Sequence, residues 1–465
     1  MFGAGELGQE IFREARRFGC YYLVAVDRYQ GTPAGRIADK EYTFNMLDGD
    51  AMRMVVEKEE PDIIIPEIEA IDTEMLVTLE EEGWFIVPNA TATKICMDRR
   101  LIRETIAEKA GILTSRYEYA TTADPEEFTD SVEKIGFPCL SKPIRSSSGR
   151  GTYLVRSEED IEKARTFAIK DARGSGKEVI IEEFIEFDTE VTELAIRHLN
   201  EDGKIVTSFT KPIGHYQIDG DYHSSWQSPR VEEYLPVAPE DMITRELEPE
   251  PEPELMHELA KEAELKIYEA SKKITDALGG VGVFGCELFV KVKDGEVLIY
   301  GNECSPRPHD TGMVTYISHP PGLNEASLHL RAISGRAIPS MAEENRIIKP
   351  LYPAATHVFK APIAVEGYSL EYRGIFEIEK IPGIEIYHFG KPFSYHEEDK
   401  DVGRVAEERM GIILARGSNA LEAKEKAERA AHMILMRSRQ CSEWKTQNET
   451  TDGRRKHLNS IIGRR

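Results

Sequence analysis

Short unbroken apolar runs alternate with amphipathic stretches over the first hundred residues. Tyr22-Leu23-Val24-Ala25-Val26 and Ile63-Ile64-Ile65 are continuous apolar segments, the form taken by parallel strands covered on both faces. Between them, Asp48 to Glu60 is apolar at Met52, Val55 and Val56, a helical spacing. Strand and helix thus alternate, and residues 1–97 predict a small Rossmann-like α/β domain. From Asp98 the period lengthens. Arg99 to Ala110 reads as a helix stopped at Gly111, and Asp124-Pro125-Glu126-Glu127 opens another with Asp as N-cap and Pro in the first turn. This middle unit spans 98–336.

A Glu/Pro tract at 245–254 interrupts the middle unit. It cannot build a core and reads as an inserted, solvated loop. Leu255, Leu259, Ile267, Ile274 and Leu278 then repeat near helical period. A third unit, 347–436, carries strand-like Ala354 to Phe359 and Ile384 to His388 and a closing helix from Ala420 to Met436. The tail 437–465 has eight Lys or Arg against three acids and no period, so disorder is expected.

Composition fits that division, since 465 residues at about 150 per domain give three domains. The 83 acidic residues exceed the 59 basic ones, for a net charge of −24. Such a surface repels nucleic acid and anionic membranes. No apolar run approaches the roughly 20 residues that cross a bilayer, and Met1-Phe2-Gly3 has neither the basic nor the apolar part of an export signal. A cytoplasmic location follows as the expectation. The six cysteines lie far apart with no C-x-x-C pair, which predicts reduced thiols.

Several segments carry candidate chemistry. Gly3-Ala4-Gly5-Glu6-Leu7-Gly8 fits G-x-G-x-x-G, and either a tight turn or an anion site at the next helix N-terminus satisfies it. Only Met1 and Phe2 precede it, so the strand that should lead into such a loop is expected to be missing. Lys142 to Thr152 places a Ser/Gly-rich loop between two strands, with Lys142 and Arg150 as charges for phosphate oxygens. It is not a Walker A loop. Val179 to Glu190 is a buried strand running into a polar stretch, able to face an adenine and a ribose or simply to end in solvent. Lys211 to Gln227 packs His, Asp, Tyr and Trp into what reads as a loop.

The densest chemistry lies in Phe284 to Val290 and Leu298 to Gly312. Each is an apolar strand carrying one Glu, joined through Lys293-Asp294-Gly295, so a hairpin brings Glu287 and Glu303 onto neighbouring positions. Unneutralised paired carboxylates repel, and a hard divalent cation such as Mg²⁺ relieves them. The alternative is that one Glu pairs with Arg307. His309 fits either a base or a loop-shaping residue.

The Lys-Pro plus Ser/Gly-rich lid, the Glu-bearing strand and the two glutamates ahead of Ser305-Pro306-Arg307-Pro308-His309-Asp310-Thr311-Gly312 together resemble the ATP-grasp superfamily. Gly5-Glu6-Leu7-Gly8, Pro66-Glu67-Ile68-Glu69-Ala70-Ile71, Asp219-Gly220-Asp221-Tyr222, Ser305 to Thr315 and Phe389-Gly390-Lys391-Pro392 narrow the resemblance to its formate-dependent phosphoribosylglycinamide formyltransferase family, over residues 3 to about 436. The resemblance implies a three-part fold of mixed α/β and α+β class: a pre-ATP-grasp domain, a central ATP-grasp domain and a small β-rich C-terminal domain. It also implies a homodimer using ATP, Mg²⁺, formate and glycinamide ribonucleotide. By motif matching, Arg99, Lys142 and the lid residues Ser147, Ser148, Gly149, Arg150, Gly151 and Thr152 would hold ATP phosphates. Glu182, Glu183, Phe184 and Ile185 would face adenine, Glu190 the ribose, and Glu287 and Glu303 the Mg²⁺. Glu6, Leu7, Glu67, Asp310, Lys391, Glu408 and Arg409 would face the ribonucleotide, with Arg307 and Asp310 as candidate catalytic residues. Asp27 becomes a structural acid.

Two departures accompany the match. The strand before the glycine loop is short of residues, and Glu407-Glu408-Arg409-Met410 stands where the family has an Arg-Arg pair. The Glu/Pro insertion and the basic tail are additional to the family pattern. The lost strand and Glu408 leave a disabled nucleotide-binding homologue open, and a carboxyaminoimidazole ribonucleotide synthetase-like ligase is the runner-up, against which Glu67-Ile68-Glu69-Ala70-Ile71 and Asp219-Gly220-Asp221-Tyr222 argue.

Overall fold

The structure is a computed structural model, and it describes residues 1–19, 21–145, 151–171, 177–218, 221–233, 253–339, 346–362, 368–391 and 407–440. In the N-terminal unit the helix Glu6–Phe18 packs beside the parallel strands Val24–Asp27 and Lys40–Thr43. The helix Gly49–Glu59 forms where its periodicity predicts, and the Asp48 side chain caps it by accepting from the Ala51 amide. Such a cap is worth about 1 kcal/mol.

The expected absence of a first strand is corrected in part. Phe2 bridges in parallel to both Val26 and Pro66. The Phe2 amide donates to Ile65 O at 2.8 Å, and the Gly3 amide donates to Val26 O at 2.9 Å. Residues 1–3 thus make the last rungs of a strand, and buried Phe2 joins Val26, Ile64 and Ile86 in the core. Three residues carry too little pattern to reveal a strand.

The middle unit has two sheets. The smaller runs Tyr117–Thr121, Glu178–Glu183, Cys139–Pro143, Tyr153–Val155, all antiparallel. Phe128 and Val132, from the helix Pro125–Ile135, fill its covered face against Val179 and Ile181. The helix expected from Arg99 to Ala110 starts at Asp98, which caps it, but after Glu104 it widens into one i→i+5 turn, with the Ala110 amide donating to Thr105 O.

The larger sheet has nine strands. Its order is Glu296–Ser305, Gly282–Lys293, Thr189–Leu199, Ile213–Ile218, Asp221–Gln227, Ala354–Pro362, Glu407–Arg416, Ile384–His388, with Ile205–Phe209 also paired to Thr189–Leu199. Two expectations change here. The segment read as a polar loop, Lys211 to Gln227, supplies two interior strands, Ile213–Ile218 and Asp221–Gln227, which bring His215 beside Glu190 and Asp221 beside Arg409. The third unit is continuous with the second, because Ala354–Pro362 pairs with Asp221–Gln227 from Ser224↔His357 to Gln227↔Ala354.

The long helix Pro253–Leu278 covers one face of this sheet, where Ile267, Ile274 and Leu278 meet Phe284, Leu288 and Val290. The helix Ala420–His432 covers another part, packing Ala423 and Ala427 near Trp226 and Ile413. That helix ends earlier than expected, and the strand Leu435–Gln440 follows, paired antiparallel to Tyr368–Arg373. The tail therefore begins beyond residue 440, not at 437. A paired ribbon needs only backbone partners, so its polar sequence gave no sign of it. The remaining tail and most of the Glu/Pro tract lie outside the described residues. Among those residues, no helix is long and apolar enough to cross a membrane.

Phe284 is fully buried at the centre of this core. Phe284→Ala should cost about 3–5 kcal/mol through lost burial and a residual cavity, read as a lowered urea midpoint of unfolding.

Candidate active site

The hairpin Gly282–Lys293 to Glu296–Ser305 turns on Asp294 and Gly295, at φ 53° and 78°. Two consecutive positive φ values make the tight turn whose twist matches antiparallel strands, and Asp-Gly suits it best. That turn sets the register from Lys293 opposite Glu296 to Leu288 opposite Gly301, which alone would put Glu287 across from Asn302; a bulge there shifts the pairing by one residue and sets Glu287 directly opposite Glu303.

Each carboxylate has a distinct partner. Arg99 Nε donates to Glu303 Oε1 at 3.0 Å, and His309 Nε2 lies 2.9 Å from Glu287 Oε1. Burial pushes Glu287 up, but the His309 hydrogen bond and the charges of His309, His215 and Lys142 outweigh it and hold the carboxyl at about 2. His215 is buried with its Nε2 3.5 Å from Glu190 Oε2. Glu190, His215 and Glu287 bring ligand atoms within 4.8 Å of one another. Glu287 and Glu303 offer only oxygen, the donor set that suits a hard ion such as Mg²⁺. The Glu-with-Arg307 alternative does not form. Arg307 instead reaches Glu67 at 3.6 Å and donates to Glu69.

On the nucleotide side, Lys142 Nζ lies 2.7 Å from Glu182 Oε2, while Arg103 pairs with the other oxygen and donates to Gly301 O at 2.8 Å. Burial raises Glu182, yet the two cations win and hold it at about 2. Removing one partner of such a buried pair costs about 3–5 kcal/mol. The Glu182 carboxylate thus serves to anchor Lys142, and Glu183 pairs with Arg116 at 3.0 Å. An adenine at Glu182 to Ile185 would have to be read by backbone groups. Arg103 is missed by sequence reading. Its signal was a single Arg on the helix face that buries Ile102 and Ile106. Gly151 and Thr152 lead into Tyr153–Val155. Ser147, Ser148, Gly149 and Arg150 lie outside the described residues.

The glycine loop opens the helix Glu6–Phe18, and Asp27 holds it by accepting from the Ala4 amide at 2.8 Å and the Arg28 amide at 2.7 Å. Asp27 is thereby a structural acid. Leu7 packs its side chain into the core with Met313 and Phe389, which leaves only its backbone to face a ligand. Glu6 faces cations instead: Lys391 Nζ at 3.1 Å and Arg409 at 3.6 Å. Arg409 also pairs with Asp310 at 2.6 Å, and burial of Asp310 is overcome by that charge, which holds it at about 2. Glu408 lies opposite Ala361 on the neighbouring strand.

His309 links the two halves. Its Nδ1 meets Thr311 Oγ1 at 2.9 Å while Nε2 holds Glu287, and its own amide donates to the buried Glu325 at 3.1 Å. His309 thus takes the loop-shaping position, capping Asp310–Val314 by accepting from the Thr311 amide, and bridges to Glu287 one residue from Asp310. Glu325, unremarked in the sequence, sits under the loop so closely that a Cβ on Gly312 would come within 2.0 Å of its carboxylate.

The family model for the ATP-grasp domain matches residues 105–248 and 254–321. The chain is 48% identical over 459 residues to the formate-dependent phosphoribosylglycinamide formyltransferase of Pyrococcus abyssi, covering 98% of this chain and 95% of that one. It is 44% identical over 434 residues to the protein of the same name from Methanocaldococcus jannaschii, covering 93% and 95%. Among solved structures it resembles N5-carboxyaminoimidazole ribonucleotide synthetase from Thermotoga maritima, with TM-score 0.67, 23% identity and coverage of 94% and 98%. Glycinamide-RNase-transformylase T from Mycobacterium tuberculosis matches with TM-score 0.66, 23% identity and coverage of 93% and 99%.

Glu67 supplies a pH test. Burial raises its carboxyl to about 8, with Arg307 opposing and Glu6, Asp310 and Glu69 reinforcing. The folded chain then keeps a proton that the unfolded chain releases near its ordinary value of 4.5, so this group's contribution is full below that pH and lost as pH rises towards 8. Glu67→Gln should remove this downward slope of stability with pH, measured by urea denaturation across that window. An unchanged slope would place the titration elsewhere.

Proposed function

The chain belongs to the formate-dependent phosphoribosylglycinamide formyltransferase family, and from that membership and the geometry above we propose how its residues divide the work. The enzyme formylates the amine of glycinamide ribonucleotide at the expense of ATP. Formate is a poor acyl donor because oxide would have to leave. One formate oxygen therefore attacks the γ-phosphorus, the bond to the ADP oxygen breaks, and formyl phosphate forms. The amine nitrogen then attacks the formyl carbon, the carbon–oxygen bond to phosphate breaks, and the nitrogen's proton goes to the departing phosphate.

Phosphoryl transfer rests on positioning and charge neutralisation. Lys142 and Arg99, each held by a carboxylate, would bind the ATP phosphates, and Glu190 the ribose. Glu287 and Glu303 would hold Mg²⁺, which when bound neutralises phosphate charge. Glu6, Glu67, Lys391 and Arg409 would hold the ribonucleotide, Asp310 would orient its amine, and Arg307 would supply positive charge beside formyl phosphate. Exclusion of water matters because hydrolysis of that intermediate would waste ATP.

The observation that carries this reading is the continuity from Glu287 through His309 to Asp310 and Arg409, which joins the paired carboxylates to the cationic cluster at the glycine loop. The reading extends to a homodimer in the cytoplasm. We further read the chain as three functional parts, 1–97, 98–336 and 347–440, of which the last two share one sheet.

ADP should appear only when formate is supplied, and glycinamide ribonucleotide should become its formyl derivative. Bicarbonate-driven turnover would favour a carboxyaminoimidazole-type ligase instead, and ATP binding with no product a disabled homologue. Glu287→Gln should lower turnover at least about a hundredfold, the scale for losing one preorganised charge-stabilising group, with the fold retained by circular dichroism. Retained turnover would remove Glu287 from the metal role.

A further inference from the structure

Lys360 lies in Ala354–Pro362, a strand flanked on both sides by other strands of the nine-stranded sheet. A lysine in such an interior strand needs a reason, because its ammonium must be kept solvated or paired. Its pairing is unusual. Lys360 is the direct cross-strand partner of Arg409, and the register shifts between Phe359 and Lys360. Directly opposed residues project from the same face, and a shift of this kind re-aims the side chain that follows. Phe359 goes to the core beneath the Ala420–His432 helix, while Lys360 Nζ comes 2.6 Å from Asp221 Oδ2. Asp221 also faces Arg409 Nε at 3.8 Å.

The result is a compact alternation of charges. Lys360, Arg409 and Lys391 supply three cations, and Asp221, Asp310 and Glu6 hold them. Lys360 is 20% exposed and Asp221 31%, against 13% for Lys391 and 12% for Glu6, so the Lys360–Asp221 pair is more open than the Lys391–Glu6 end of the cluster. Lysine is a point charge with freely rotating donors. It can swing from a carboxylate to an incoming anion without breaking a rigid bidentate geometry. A phosphomonoester carries nearly two negative charges and three acceptor oxygens, and one guanidinium cannot saturate it.

We propose that Lys360 is a further substrate-binding residue, which with Arg409 clamps the 5′-phosphate of the ribonucleotide, Asp221 holding its ammonium beside Arg409. This inference rests on the functional reading above, and its test separates the two. Lys360→Met should raise KM for glycinamide ribonucleotide about 10- to 100-fold, the range for losing a charged hydrogen bond, and leave KM for ATP within about twofold. Lys360→Arg should recover most of the loss. The same variant should weaken binding of ribose 5-phosphate in calorimetry by a similar factor, with ribose as the uncharged control.

An unchanged ribose 5-phosphate affinity, or an unchanged KM for the ribonucleotide, overturns the proposal. Equal weakening for ribose and ribose 5-phosphate also overturns it, since Lys360 would then act only by holding Asp221. If the unaltered protein formylates nothing yet binds ribose 5-phosphate through Lys360, the functional reading falls and the phosphate clamp stands.

Discussion

Two carboxylates set opposite each other on adjacent buried strands constrain everything around them. Glu287 and Glu303 occupy one rung of a hairpin, and like charges so placed destabilise a sheet unless each is answered. The answers come from different parts of the chain. Arg99, at the start of a helix, takes Glu303, and His309, in the loop after the hairpin, takes Glu287. Each answer brings further chemistry with it. One turn beyond Arg99 lies Arg103, which with Lys142 fixes Glu182, and next to His309 lies Asp310, fixed by Arg409. The surroundings of Lys142 and those of Arg409 are therefore two arms of one electrostatic network.

That network resolves the tension in the overall charge. A chain of net charge −24 handles substrates that are all anions. Its cations near the site are not free to act at long range, because carboxylates within a few ångströms hold Lys142, Lys391, Lys360 and Arg409. Such internal pairing lowers the cost of burying each charge and keeps every cation in place. An anionic ligand entering the site then exchanges one set of partners for another, while the acidic exterior still disfavours polyanions.

Local chemistry made much of this legible in advance. Asp48 and Asp124 cap the helices they precede, because their side chains can accept amide hydrogens wherever those helices start. Asp294-Gly295 closes a hairpin through its own backbone preferences, and that turn brings the two glutamate-bearing strands side by side. Less legible were residues whose meaning depends on distant partners. Arg103 looks like a surface arginine until Glu182, far along the chain, is brought against it, and Glu325 reads as one more helical acid until Gly312 lies over it. His215 and Asp221 belong to strands whose polar faces disguised them as a loop.

The sequence alone determined the strand and helix alternation, the hairpin that carries the two glutamates and the loop Ser305 to Gly312, because these depend on neighbours within a few residues and on periods of the chain itself. Only the tertiary structure decided that Phe2 bridges Val26 and Pro66, that a bulge sets Glu287 opposite Glu303, that the second and third units share one sheet, and that Lys360 stands across from Arg409. Those facts depend on pairing between segments separated by tens to hundreds of residues. No local propensity encodes such a register, which is chosen jointly by all the surfaces that must be buried at once.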